Sequence, residues 1–459
     1  MTGTSRPYPR LLIVGYDIVA GTGGGVTLSC LLDGWPRNRI AIAAGNRDLG
    51  VSGFAGHYYR LGALEDRWIW PFSSVPRESW KVSGPVCPGS SGQRSCAPHG
   101  NPSREESPAR GASLRRLLYA ALDLAGAQDE LHGLRLSPPF LEWVNAYQPE
   151  IIYTLLGSLS LVRFVRDLSA TLRIPAALHF MDDWPSVIYR HGLMAPMLRR
   201  KLNRELRLLV NGASAAMAIS DPMSAEYSRR YGRTFLTFHN ALDPDDWLAT
   251  SRTSWETGSP IEILYAGRIG IANESSITDV ASSVELLADG GLDIRLSVLT
   301  SDVACPVADT LREMRCVDLI PAVPHPAVPA RLAAADILIL PLDFGDAEQR
   351  FARYSMPTKT VEYMASGTPV VVYAPEDHAV SRYAASGEWG LVVGSRDTSA
   401  LADTFLSLVK NISLREELGR RAMGLALANH DAGTIRDRFR ETLISAAYPT
   451  GFPLKDAEP

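Results

Sequence analysis

Short apolar runs recur along this chain, each closed by a turn signal and followed by a helical pattern, and the series is played twice. The first series is PRLLIVGYD (9–17), RIAIAAG (39–45), EIIYTLL (150–156), IPAALHF (174–180) and SAAMAIS (214–220), with helical stretches such as LVRFVRDLSATL and PMLRRKLNRELRLLV between them. The second is IEILYAGR (261–268), DIRLSVLT (293–300), VDLIPAV (317–323), DILILPL (336–342), TPVVVYA (368–374) and GLVVG (390–394). Runs without polar alternation are buried on both faces, and strand alternating with helix means βαβ units. The expected fold is therefore α/β, with two doubly wound parallel sheets whose ligands sit beyond the carboxyl ends of the strands.

The 459 residues are too many for one compact core. The best linker is NALDPDDWLATSRTSWETGSP (240–260), polar and rich in Asp, Ser, Thr and Pro, which predicts a first domain over 1–240 and a second over 255–430. The C-terminal residues around LREELGRRAMGLALANHDAGTIRDRFRETLISAA read as two helices, with 431–459 expected to pack back toward the first domain. Residues 81–112 are dense in Gly, Pro and Ser and read as a mobile insertion. Within it Cys87 and Cys96 could pair or do nothing, and no His/Cys spacing fits a zinc template, so no metal is expected. Five cysteines at irregular spacing, no long apolar span and no signal-peptide pattern point to the cytoplasm.

Net charge is −4, but it is uneven: residues 1–250 carry 27 Lys+Arg against 22 Asp+Glu, and residues 251–459 carry 19 against 28. An acidic half that binds an anion must place its few cations with purpose. No basic patch carries interleaved aromatics, which argues against nucleic acid as a partner.

Several short stretches can carry chemistry. In GTGGGV, after the first strand, Gly24 and Gly25 let backbone N–H groups approach an anion, although a plain tight turn explains them too; the pattern is neither the dinucleotide fingerprint nor a P-loop. LHFMDDWP ends a strand at His179, suited to a sugar hydroxyl or reacting oxygen, with Asp182 beside it; capping roles for the His and the aspartates remain open. LYAGRIG places Arg268 just past a strand, and SMPTKTVEYMASGTPVVVYAP (355–375) supplies Ser355, Thr358, Lys359 and Glu362 around a short helix start. An i,i+3 surface pair of Lys359 and Glu362 would explain those two residues, but not Pro357, Gly367 and the buried strand beside them.

These segments together resemble the two-domain GT-B glycosyltransferases, specifically the retaining family 4 type (glycosyl transferases group 1). GTGGGVTLS is similar to the family's N-terminal glycine loop, AISDPMSAEYSRRYG with TFHNALDPDDW to its interdomain connection, and ILYAGRIG, DILILPL and MPTKTVEYMASGTPVVV to its donor-binding domain. The resemblance implies two Rossmann-like domains facing a central cleft. It further implies a transferase of class EC 2.4 that moves a sugar from a nucleoside-diphosphate sugar to an acceptor hydroxyl, in polysaccharide, glycolipid or glycoconjugate biosynthesis. No cofactor is implied, the nucleotide sugar being a co-substrate. Glu362 would hold the ribose, Arg268 and Lys359 would neutralise the diphosphate, and Gly24 and Gly25 would approach it from the other domain. His179 would contact the donor sugar near the reacting carbon. Two features depart from the family pattern: Tyr354 stands where a sugar-reading glutamate is usual, and the lysine usual a few residues after the GR strand is missing, GRIGIANESS having Asn273 and Ser275 there.

No second carboxylate presents itself as a nucleophile, so retention by same-face attack is the expected course. The acceptor is expected to be a carbohydrate, a lipid-linked compound or a small molecule. The basic amphipathic segment 196–210 suits peripheral contact with the inner face of an anionic membrane, and equally a solvated helix face with leucines turned inward. A different GT-B enzyme, such as an epimerase, would turn over donor without acceptor; a phosphorylase would need a pyridoxal lysine that no motif offers. A non-catalytic nucleotide-sugar-binding subunit would bind donor and transfer nothing.

Overall fold

The computed structural model describes residues 8–19, 22–46, 48–68, 82–87, 132–270 and 272–448. Two compact units emerge from its contacts. One comprises residues up to Ala218, Ser224–Thr237 and the chain from Asp437; the other comprises Ile219–Met223 and Phe238–Arg436.

The first unit is built on one sheet of β1 (Leu11–Val14), β2 (Ile40–Ala44), β3 (His57–Arg60), β5 (Gly84–Val86), β7 (Ile151–Leu155), β8 (Ala176–Phe180), β9 (Ala215–Ala218) and β10 (Leu236–Thr237). Their order is β10-β9-β8-β7-β1-β2-β3-β5, parallel throughout except for the β3–β5 edge pair. β4 (Asp66–Trp68) and β6 (His132–Leu134) form a separate antiparallel pair. The central strands LLIV and AALHF are buried at every position, as a sheet covered on both faces requires. The last helix, Ala432–Ala447, enters this unit at Asp437, where Phe439 packs edge-on against Tyr153 with ring centroids 5.8 Å apart. Tyr448 then donates to Glu150 (2.6 Å).

The second unit carries β11 (Ile261–Ala266), β12 (Ile294–Thr300), β13 (Val317–Pro321), β14 (Ile337–Pro341), β15 (Val370–Tyr373) and β16 (Gly390–Val393). They lie in the order β13-β12-β11-β14-β15-β16, and every pairing is parallel. The break between β11 and β14 directions is the switch point where doubly wound sheets take ligands.

Two sequence readings look different in the structure. The polar stretch 240–260 packs on the second unit: Trp247, Arg252 and Trp255 are buried, and Arg252 donates to Asp336 (3.2 Å). Of the insertion expected over 81–112, residues 84–86 form β5 on the edge of the first sheet. Residues 82–87 are described, Cys87 being disulfide-bonded, whereas 81 and 88–112, including Cys96, lie outside the described residues.

Candidate functional site

In the second unit the strip around Lys359 begins as a turn. Helix Asp346–Ala352 ends where Ser355 N donates to the Ala352 carbonyl (2.9 Å) and the Ser355 hydroxyl to that of Phe351 (3.3 Å). The Tyr354 carbonyl accepts from the Ser220 hydroxyl (2.5 Å), and the Arg353 guanidinium lies 5.6 Å from the Tyr354 ring centroid. Thr358 takes helical angles and makes no side-chain capping bond, so helix Lys359–Ser366 starts with its positive dipole end unoccupied by its own cap. Gly367, in the left-handed region, ends it.

The helix is fixed by its buried face. The Tyr363 hydroxyl accepts from Ala266 N (2.7 Å) and donates to Ala266 O (3.2 Å), so a phenol closes the end of β11. Lys359 lies one turn earlier, above the same strand end. Its Nζ donates to the Tyr265 hydroxyl (2.7 Å) and stands 4.0 Å from that ring's centroid. Room for it comes from Gly267 (φ 152°), where a Cβ would overlap Nζ. Burial pushes the Lys359 amine down to about 7, with the charge of Glu362 opposing the shift.

Arg268 follows on the surface. Its Nε and Nη2 donate to Asp302 at 3.2 and 3.3 Å. An exposed pair of this kind is worth only about 0.2–1 kcal/mol, so a phosphate can compete for the fork. Glu362 pairs with His325 Nε2 (3.7 Å), whose pKa is raised by that carboxylate, rather than with Lys359. The i,i+3 neighbours therefore have separate partners. The structure brings Lys359, Glu362, Arg268, Thr358 and Ser355 onto one end of the second sheet.

The remaining candidates belong to the first unit. Thr22 caps helix Gly23–Leu31 by accepting from Gly25 N (3.1 Å). A Cβ on Gly25 would overlap the Val19 carbonyl, and one on Gly24 would crowd the Tyr16 hydroxyl. Glycine at 25 is thus demanded by the loop's own packing, whatever else the loop does. His179 is fully buried at the end of β8, its Nδ1 within 2.7 Å of the Tyr153 hydroxyl. Burial raises the Asp182 carboxyl to about 6, opposed by the Trp184 N–H it accepts at 3.3 Å. Its neighbour Asp183 is held by Arg230 (2.7 Å to each oxygen), Tyr227 (2.8 Å) and Ser186 (2.6 Å), so the two adjacent aspartates differ in kind.

Tyr265, Tyr363 and His325 escaped the sequence reading. The two tyrosines had a signal, since a buried phenol needs a hydrogen-bond partner and these interrupt aliphatic runs. His325 had none.

Comparison with known proteins bears on this unit first. Residues 260–411 match the family described as Glycosyl transferases group 1. No protein of curated function matches the sequence. Among solved structures, HepE from Anabaena in complex with UDP is similar over 95% of this chain and 100% of its own, with 14% identity and a TM-score of 0.59. Sucrose-phosphate synthase from Thermosynechococcus elongatus is similar over 95% and 99%, with 12% identity and a TM-score of 0.59. The α,α-trehalose 6-phosphate synthase from Burkholderia multivorans is similar over 96% and 99%, with 12% identity and a TM-score of 0.57. At these identities the likeness establishes the fold, and the family match supplies the chemistry. The second unit is a group 1 glycosyltransferase domain, and the chain that carries it is a glycosyltransferase of GT-B fold.

Proposed function

We propose that this chain moves a sugar from a nucleoside-diphosphate sugar to an acceptor hydroxyl with retention, by same-face attack. The acceptor oxygen forms the new bond to the anomeric carbon as the bond from that carbon to the diphosphate oxygen breaks. The leaving diphosphate takes the acceptor's proton. Lys359, Arg268 and the start of helix Lys359–Ser366 stabilise the charge that grows on it, and Glu362 accepts from the ribose hydroxyls. The observation that carries this reading is the half-buried Lys359 amine, held over Gly267 at the strand end with Glu362 one turn along and a phenol, not a carboxylate, as its partner. HepE has been solved with UDP and with UDP-glucose, which favours a diphosphate-linked sugar here as well. Across a panel of nucleoside diphosphates, one base should raise the melting temperature above the others, through a native-state stabilisation of RT ln(1 + [L]/Kd). Transfer of labelled sugar from the matching donor should require an acceptor. Turnover of donor without acceptor would favour an epimerase, and binding without turnover a non-catalytic subunit.

The acceptor side reads as a lipid-linked compound at an anionic membrane surface. Helix Ala195–Gly212 buries Leu198, Leu202, Leu206 and Leu209, yet Leu193 is 86% exposed, Met197 53% and Leu208 55%. Residues 187–204 hold Arg190, Arg199, Arg200, Lys201 and Arg204 and no carboxylate. Vesicles containing phosphatidylglycerol should co-sediment the protein about tenfold better than phosphatidylcholine vesicles. The pair L193E/M197E should lose that preference; an unchanged partition would remove this surface. Among the described residues no helix is long and apolar enough to cross a membrane.

A further inference from the structure

The buried hydroxyl of Tyr265 makes three hydrogen bonds. It accepts from Lys359 Nζ (2.7 Å) and from Asn273 Nδ2 (2.5 Å), and donates to the Arg268 carbonyl (2.5 Å). Asn273 adds a second strut, its Nδ2 to the Arg268 carbonyl (3.1 Å) and its Oδ1 accepting from Gly270 N (2.9 Å). A phenol oxygen has one proton to give and two lone pairs to accept with, so this one is saturated and its orientation is fully determined. The two cations assigned to the diphosphate are therefore tied to one atom, one through its amine and the other through its backbone.

The sequence makes this arrangement specific. Five of the chain's 46 cationic residues are lysines, so arginine is the default cation here. Lysine at 359 is a compact point charge on a flexible stem, and only a fixed acceptor can hold it in one place. An arginine fork would not fit above Gly267, where the amine already takes the space of a Cβ. Asn273 lies in the stretch GRIGIANESS, which lacks the lysine expected there, and its amide braces the tyrosine that holds Lys359.

We propose that Tyr265, braced by Asn273, is a positioning residue that sets the place and the charge state of Lys359 for diphosphate binding. The proposal rests on the role given to Lys359 above. The groups that act on that amine are the Tyr265 hydroxyl on β11 and the Glu362 carboxylate on its own helix, with Asn273 reaching it through Tyr265. Removing the Tyr265 hydroxyl takes away the acceptor of the charged form and leaves the Glu362 carboxylate in place. Lys359 should then lose its proton at lower pH.

With so few lysines, ε-13C-lysine-labelled protein gives five resonances, and Lys359→Ala assigns the one in question. In Tyr265→Phe the midpoint of that resonance should move down by about one pH unit, the size expected for a hydrogen bond to a charged group. Affinity for UDP at pH 6.5 should fall roughly tenfold. Asn273→Ala should move the midpoint the same way by less, and stands in if the phenylalanine variant does not fold. An unmoved midpoint in the folded variants overturns the inference. If the midpoint moves while Lys359→Ala binds UDP as the wild type does, the positioning holds and the diphosphate role of Lys359 is what fails.

Discussion

Replacing Lys359 with alanine lowers sugar transfer by about 10²–10³-fold while the protein stays folded, because the lost group acts on charge that develops only as the diphosphate departs. The effect falls mainly on turnover, since the ground-state donor already carries its charge and keeps Arg268, the helix start and Glu362. The pH dependence has a definite sign. In the free protein burial holds the amine near 7, so below that it is an ammonium and binds the anion well. As the pH rises above 7 the amine must take up a proton to bind, and affinity for UDP falls by as much as about tenfold per unit until the pKa of the complex is reached. In Lys359→Ala that slope disappears. Calorimetric titration of UDP across pH 6–9, with single-turnover kinetics, checks both parts. Wild-type turnover in the alanine variant would remove Lys359 from the site.

Gly419→Ala unfolds the second unit at a temperature several degrees below the wild type, a loss of roughly 1–3 kcal/mol for a single methyl group. Gly419 lies on helix Ile412–Asn429, where a Cβ would overlap the Gly367 carbonyl and crowd Trp255 Nε1. That carbonyl ends the Lys359–Ser366 helix and accepts from Trp255 Nε1 (2.9 Å). Backbone cannot yield as a side-chain tip can, so the two helices must part and the indole hydrogen bond stretches with them. Thermal unfolding followed by tryptophan fluorescence reads the shift. An unchanged transition would show that the helices separate at no cost. Substitution at Gly424, which has open space around the same helix, is the control.

Most of the two sheets could be read from sequence because buried parallel strands leave an unbroken apolar run, as in IIYTL and VVVY. The strand β3 and the edge strand β5 could not. Their sequences HYYR and GPV have neither a run nor an alternation, and only pairing with β2 and with each other makes them strands. The site divides in the same way. Lys359, Glu362 and Thr358 share one short segment, so their proximity was visible. What each touches depended on residues far away in sequence: Tyr265 for the lysine, His325 for the glutamate, Asp302 for Arg268. Glycine at 25 looked like a ligand-binding choice, and the backbone of its own loop gives a sufficient reason for it.

The Tyr363 hydroxyl, bonded both ways to Ala266, has a consequence for how such a protein could be retargeted. The helix that presents Lys359 and Glu362 is thereby tied to the end of β11 and would move only with the sheet. The turn Arg353–Pro357 meets the rest of the unit through main-chain bonds at Ser355 N and at the Arg353 and Tyr354 carbonyls, and through the Arg353 guanidinium, 2.9 Å from Asp377. The turn can therefore vary while the helix that presents Lys359 and Glu362 keeps its register on β11.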